Sequence, residues 1–83
     1  MHRNTQINHA EKNDFHHVVG QAIRTARKAN GLGPRELALK AGLTASSIAN
    51  AEAGQSCSLF VLVKIAEALD CTIDELVPTE ATR

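Results

Sequence analysis

Eighty-three residues, 8.9 kDa, are enough for one small hydrophobic core and too few for two. With 43% hydrophobic residues, no apolar run near the roughly 18 to 20 residues of a membrane span and no apolar N-terminal signal, the chain reads as soluble rather than membrane-bound. Zero net charge argues against a uniformly basic polyanion binder, 2% aromatic content argues against base-stacking platforms, and two cysteines are too few for a secreted disulfide scaffold, which points to a reducing cytoplasm.

Residues 1 to 14 hold Ile7 as their only large aliphatic side chain besides Met1, so a flexible N-terminal arm is expected there. From Phe15 the chain turns amphipathic: Phe15, Val18, Val19, Ala22, Ile23 and Ala26 recur at three- and four-residue steps, predicting a helix over 15–29 that ends at Gly31. The next four helix starts share one device, a short or polar N-cap flanked by an apolar residue before it and another four positions into the helix, as in a hydrophobic staple. Gly33 lies between Leu32 and Leu37, Thr44 between Leu43 and Ile48, Ser58 between Cys57 and Leu62, and Thr72 between Cys71 and Leu76, with Glu75 completing a Thr-x-x-Glu capping box. These starts predict helices over 34–41, with Pro34 at its first position, 45–52, 59–69 and 73–77, ended by Gly42, Gly54 and Pro78. The fourth is expected to bury Leu59, Leu62, Ile65, Ala66 and Leu69. An all-α domain over 15–78 with a C-terminal tail over 79–83 follows, since no run alternates long enough for a strand.

Catalytic and metal chemistry find little support in these residues. Cys57 and Cys71 occupy staple positions, where a small thiol serves as a hydrophobe. His16 and His17 are adjacent on a helix and point apart, and His2 and His9 fall in the arm, so no metal spacing arises. There is no Gly-rich phosphate loop, no helical His-Glu-x-x-His and no nucleophile beside a base; neither an enzyme nor a bound cofactor is expected.

The charges are unevenly placed despite their cancellation. Residues 15 to 50 carry Arg24, Arg27, Lys28, Arg35 and Lys40 against Glu36 alone, a balance of +4. Residues 51 to 83 carry Lys64 and Arg83 against Glu52, Glu67, Asp70, Asp74, Glu75 and Glu80, a balance of −4. Such a dipole can orient a protein on a phosphate backbone, and acidic tails or solvated helix faces produce it equally.

Two short helices joined through Gly42, the second begun by Thr44, make a helix-turn-helix unit. Around it stand I23-R24-x-x-R27-K28-x-x-G31-L32, E36-L37-A38-x-K40-A41-G42-L43-T44, S47-I48, E52-x-G54, S58-L59-x-x-L62-x-K64-I65-A66-x-A68-L69 and I73-D74-E75-L76. Over about 19 to 77 this pattern resembles the Cro and phage-repressor type of helix-turn-helix domain, the XRE family. The resemblance implies a five-helix, lambda-repressor-like fold and a homodimeric transcription regulator that reads double-stranded DNA at inverted repeats, its third helix in the major groove. It further implies an ion pair between Arg27 and Glu52.

Several positions depart from that pattern. Gly33 and Pro34 stand where many members carry a polar pair that holds a phosphate, Ala53, Gln55 and Ser56 replace Asn and basic residues, and Phe60 occupies a position that is often polar. The expected DNA contacts are therefore Thr44, Ala45, Ser46, Ser47, Asn50 and Gln55, with Arg35 and Lys40 attracting phosphates; only Asn50 is equipped for a bidentate contact to adenine. Arg3 and Lys12 in the arm are further candidates for a groove contact. Phe60 and Val61 are expected to project from the fourth helix as a dimer or partner interface. They motivate the alternative reading, a helical protein-interaction module or antitoxin-type partner with weakened DNA reading.

Overall fold

A computed structural model describes residues 9–77, with side chains from residue 14 onward. Five helices follow one another: α1 (His9–Ala29), α2 (Pro34–Ala41), α3 (Ala45–Glu52), α4 (Leu59–Ala68) and α5 (Ile73–Leu76); the described residues contain no strand. α1 packs on α3 and α5, α2 on α3 and α4, and α4 on α5. Ile23, Leu37, Ile48, Ile65 and Leu76 supply one fully buried large side chain from each helix. At about 1.5 to 3 kcal/mol for each such side chain removed from water, these five residues tie every helix to a single core.

The ends of the helices repeat one solution. At the C-terminus of α2, Gly42 takes a left-handed conformation (φ 72°), its N–H donates to the Leu39 carbonyl at 3.3 Å, and the Leu43 N–H donates to the Ala38 carbonyl at 2.8 Å. This is a Schellman motif, which satisfies carbonyls the helix would otherwise leave unpaired. The same bonding pattern ends α1 at Gly31 and α3 at Gly54. It also ends α4 at Asp70, the one non-glycine among the described residues with positive φ, at 56°. Leu32, Leu43 and Cys71 then serve twice, as the residue that closes a Schellman motif and as the apolar residue preceding the next cap.

The structure revises several expectations. α1 begins at His9, so residues 9–14 are helical rather than part of an arm. A helix nucleated on its packed stripe propagates into polar sequence free of Gly and Pro at little cost. Residues 1–8, with Arg3, and the tail over 79–83 lie outside the described residues. Phe15 and Val18 remain 39% and 45% exposed, because the inward arc of α1 runs through Val19, Ile23 and Arg27. On α4 the inward arc is Val61, Leu62, Ile65, Ala66, Ala68 and Leu69, which leaves Leu59 70% exposed and corrects its expected burial. Val61, one helical turn before Ile65, packs against the core instead of projecting beside Phe60. α4 and α5 each end one residue earlier than predicted, within the fraying of helix ends.

Burial raises the Cys57 and Cys71 thiols above their ordinary value, and the nearby Glu75 and Asp70 carboxylates push Cys71 further in the same direction. Both therefore stay protonated at neutral pH, as hydrophobes should. Asp70→Gly is expected to raise stability by about 0.5 to 1 kcal/mol, since the backbone keeps its conformation and loses the left-handed penalty of a side chain; a lower melting temperature would contradict this assignment.

Candidate nucleic-acid interface

The α2–α3 unit is built so that α3 is gripped from one side only. Its N-terminus is fixed by Thr44, whose Oγ1 accepts the Ser47 N–H at 3.1 Å. Its inner face is Ile48 and Ala51, both buried. Its C-terminus meets α1 at Gly20, which is so close that a Cβ there would fall 2.6 Å from the Ala51 carbonyl oxygen and 2.7 Å from that of Glu52. Only a residue without a side chain permits that approach.

The second clamp is ionic. Arg27 Nε donates to Glu52 Oε2 at 2.6 Å and Nη2 donates to Oε1 at 3.0 Å, a bidentate fork, while Nη1 donates to the Leu32 carbonyl at 2.9 Å. The arginine is only 7% exposed. Its hydrogen bond to Glu52 raises the guanidinium pKa above the ordinary value against the opposing effect of burial. One side chain thus joins the end of α1, the loop that follows it and the end of α3. Geometry of this quality is what lets a desolvated pair persist in a protein interior.

What α3 turns outward is small and uncharged. Ala45, Ser46, Ala49 and Asn50 are exposed, followed by Ala53 and Gln55. Among the described residues no protein group hydrogen-bonds the Asn50 amide, so its donor and acceptor are available. The Thr44 and Ser47 hydroxyls lie 3.1 Å apart and share the cap, so the two act as one structural unit and Ser46 keeps the unengaged hydroxyl of the turn. Ala49 was not singled out from the sequence, and Ala53 only as a departure from the family pattern, although their place one turn from Ala45 and Asn50 puts them on the same face. On α2, Arg35 and Lys40 are exposed, and Glu36 Oε1 accepts the Gly33 N–H at 2.7 Å, which places its negative charge at the helix N-terminus. Leu39 shares the outer face with Arg35 and is 83% exposed, a second feature missed by a reading that sought polar contacts.

Phe60 is 67% exposed and is joined by Leu59, not Val61, at the start of α4. The exposed acidic residues Glu67, Asp70, Asp74 and Glu75 lie on or beside α4 and α5, so the charge division seen along the chain is also a division between elements. Among the described residues no group of three or more acidic, His or Cys side chains could hold a metal ion, and no helix is long and apolar enough to cross a membrane.

A family model described as helix-turn-helix matches residues 23–76. Among solved structures, the restriction-modification controller protein C.AhdI from Aeromonas hydrophila is 39% identical, with 74% of this chain and 94% of that chain covered and a TM-score of 0.70. The hypothetical transcription factor NHTF from Neisseria is 26% identical over 86% of this chain and 85% of its own, with a TM-score of 0.73. The clp gene regulator ClgR from C. glutamicum, at 24% identity, covers 75% of this chain and 82% of its own with a TM-score of 0.69, and likewise shares the fold. No curated protein gives a significant match.

Two substitutions test the clamps. Gly20→Ala should destabilise by about 1 to 3 kcal/mol although alanine is the better helix former, because the new methyl meets backbone rather than a flexible side chain; a stabilised variant would refute the close approach. Arg27→Ala should cost about 3 to 5 kcal/mol by stranding Glu52, while Arg24→Ala, at an exposed site, should stay within about 0.5 kcal/mol. Equal shifts in urea midpoint would refute the bidentate clamp.

Proposed function

The chain belongs to the helix-turn-helix family, of the XRE type, and from that premise we propose that it is a small transcription regulator binding double-stranded DNA sequence-specifically in the cytoplasm, as a homodimer on an inverted repeat. The observation that carries this reading is the outward face of α3: a rod clamped from behind by Gly20, Ile48 and Arg27, with no element among the described residues packed over Ala45, Ser46, Ala49 and Asn50. An α-helix so presented fits the major groove, and half-sites about one helical turn apart, roughly 34 Å, suit a two-fold dimer.

Each residue has a role in this reading. Asn50 is the base reader, with Ala45 and Ala49 allowing close approach to the groove floor and Ser46 and Gln55 offering hydrogen bonds at the edges. Arg35 and Lys40 meet phosphates, and Thr44 with Ser47 holds the N-terminal turn whose free N–H groups attract a phosphate. So few charges on the reading face leave much of the discrimination to DNA shape and deformability. The likeness to a restriction-modification controller supports a controller role over a general one. The exposed Leu59 and Phe60 favour a second reading, in which this edge of α4 docks a protein partner and DNA reading is reduced.

Random-site selection followed by titration at several salt concentrations tests the proposal. A reproducible pseudo-palindrome is expected; a failure to enrich any sequence would favour the protein-interaction module. Asn50→Ala should relax one position of the selected site at a cost of about 1 to 3 kcal/mol. Lys40→Ala should weaken all sequences alike and lower the salt slope by about 1.

A further inference from the structure

The exposed faces of the other helices carry long charged side chains: Arg24 and Lys28 on α1, Arg35 and Lys40 on α2, Glu67 on α4, and Asp74 and Glu75 on α5. α3 turns outward only methyl groups and short polar side chains. Two rows run along it at the four-residue helical step, Ala45 with Ala49 and Ser46 with Asn50. It has no lysine or arginine, and its only charged residue, Glu52, is held in the fork with Arg27. Helix propensity does not account for the contrast, since lysine, arginine and glutamate form helices nearly as well as alanine.

Chemistry decides what such a face recognises. Guanine shows the major groove two acceptors, O6 and N7, which arginine or lysine reads; α3 has neither. An alanine methyl makes no hydrogen bond, so it is blind to the amino and carbonyl groups of the base it faces. What it does meet is the C5-methyl group of thymine, the apolar feature of the groove edge. Cytosine presents a bare C–H at that carbon. Methylation at C5 of cytosine restores the same group at the same place on the ring, and an alanine cannot tell the two bases apart. Contact between methyl groups acts only within about 4 to 4.5 Å, which demands a short side chain, a close backbone and a helix that does not roll. Gly20 and the Arg27–Glu52 fork supply that rigidity.

We infer that Ala45 and Ala49 make α3 a reader of pyrimidine C5-methyl groups, those of thymine or of 5-methylcytosine standing in its place, beside the adenine that Asn50 takes by its N6 and N7 edge. This rests on the DNA binding proposed above and names the chemical group recognised. It holds whether the chain binds one half-site or two. A cytosine methylated at C5 in such a position creates a binding site instead of blocking one.

Titration of the full-length chain against modified duplexes provides the test. The duplex that emerges from random-site selection is remade with single thymines replaced by uracil, which keeps the hydrogen-bonding edge and lacks the methyl. At the thymines facing Ala45 and Ala49, uracil should weaken binding about three- to fivefold, the worth of one buried methyl group. Thymines elsewhere in the site should tolerate the change. At the sensitive positions cytosine paired with guanine should bind no better than uracil, and 5-methylcytosine paired with guanine should bind like thymine. In Ala45→Ser and Ala49→Ser the ratio of thymine to uracil affinity should fall towards one, each at its own position; because the ratio is taken within one variant, any change in folding cancels from it. Uracil tolerated at every thymine overturns the inference. So do 5-methylcytosine that binds like cytosine, a uracil penalty unchanged in both serine variants, and selected half-sites that contain no thymine. Enrichment of no sequence strikes the proposed function and the inference together, whereas a reproducible site indifferent to uracil strikes the inference alone.

Discussion

The bidentate pair of Arg27 and Glu52 is the interaction on which the rest of this molecule depends. α3 has eight residues, too few to persist as a helix in water unaided, and only Ile48 and Ala51 commit it to the core. Without a further restraint such a helix could roll about its own axis, changing which side chains face outward. The guanidinium fork removes that freedom at the C-terminal end while the Thr44 cap fixes the N-terminal end, and Gly20 sets the distance between the two backbones. Stability alone does not require an ion pair here, since apolar groups of similar volume often do as well. A planar fork does supply a defined orientation, which a groove-reading helix needs and a merely packed one does not.

Economy marks the way the short helices are joined. A residue that closes one helix by a Schellman bond also anchors the next cap, so the connections at Leu32, Leu43 and Cys71 are short and have little freedom to move. The turn between α2 and α3 is the clearest case: Gly42 reverses the chain, Leu43 is tucked against the core, and Thr44 starts α3 at once. Direction of approach and helix phase are thereby set within three residues.

Much of this was legible from residue order, and the limits are equally physical. Caps and staples act within about five residues, so Gly33, Thr44, Ser58 and Thr72 located four helix starts, and the bounds of α2 and α3 agree with the expected ones. The start of α1 escaped because apolar periodicity reports a packed stripe rather than helicity, and residues 9–14 form helix although their sequence carries no such stripe. Leu59, Val61, Phe15 and Val18 were misplaced because an apolar residue near a helix end fits more than one candidate arc until the neighbouring helices are known. The pairing of Arg27 with Glu52, twenty-five positions apart, came from family resemblance and not from any local rule. The tight contact at Gly20 had no local signal at all: a glycine inside a helix reads as a weakness until its neighbour is seen.

The outward alanines of α3 and its C-cap have an evolutionary corollary. Ala45, Ala49 and Ala53 face solvent and contribute nothing to the interior, and alanine is one base change from several polar and acidic residues. If α3 enters the groove as proposed, single mutations there would supply new base preferences, with the scaffold indifferent to the outcome. A paralogue facing a different operator, or an engineer wanting one, would begin at these three vacant positions.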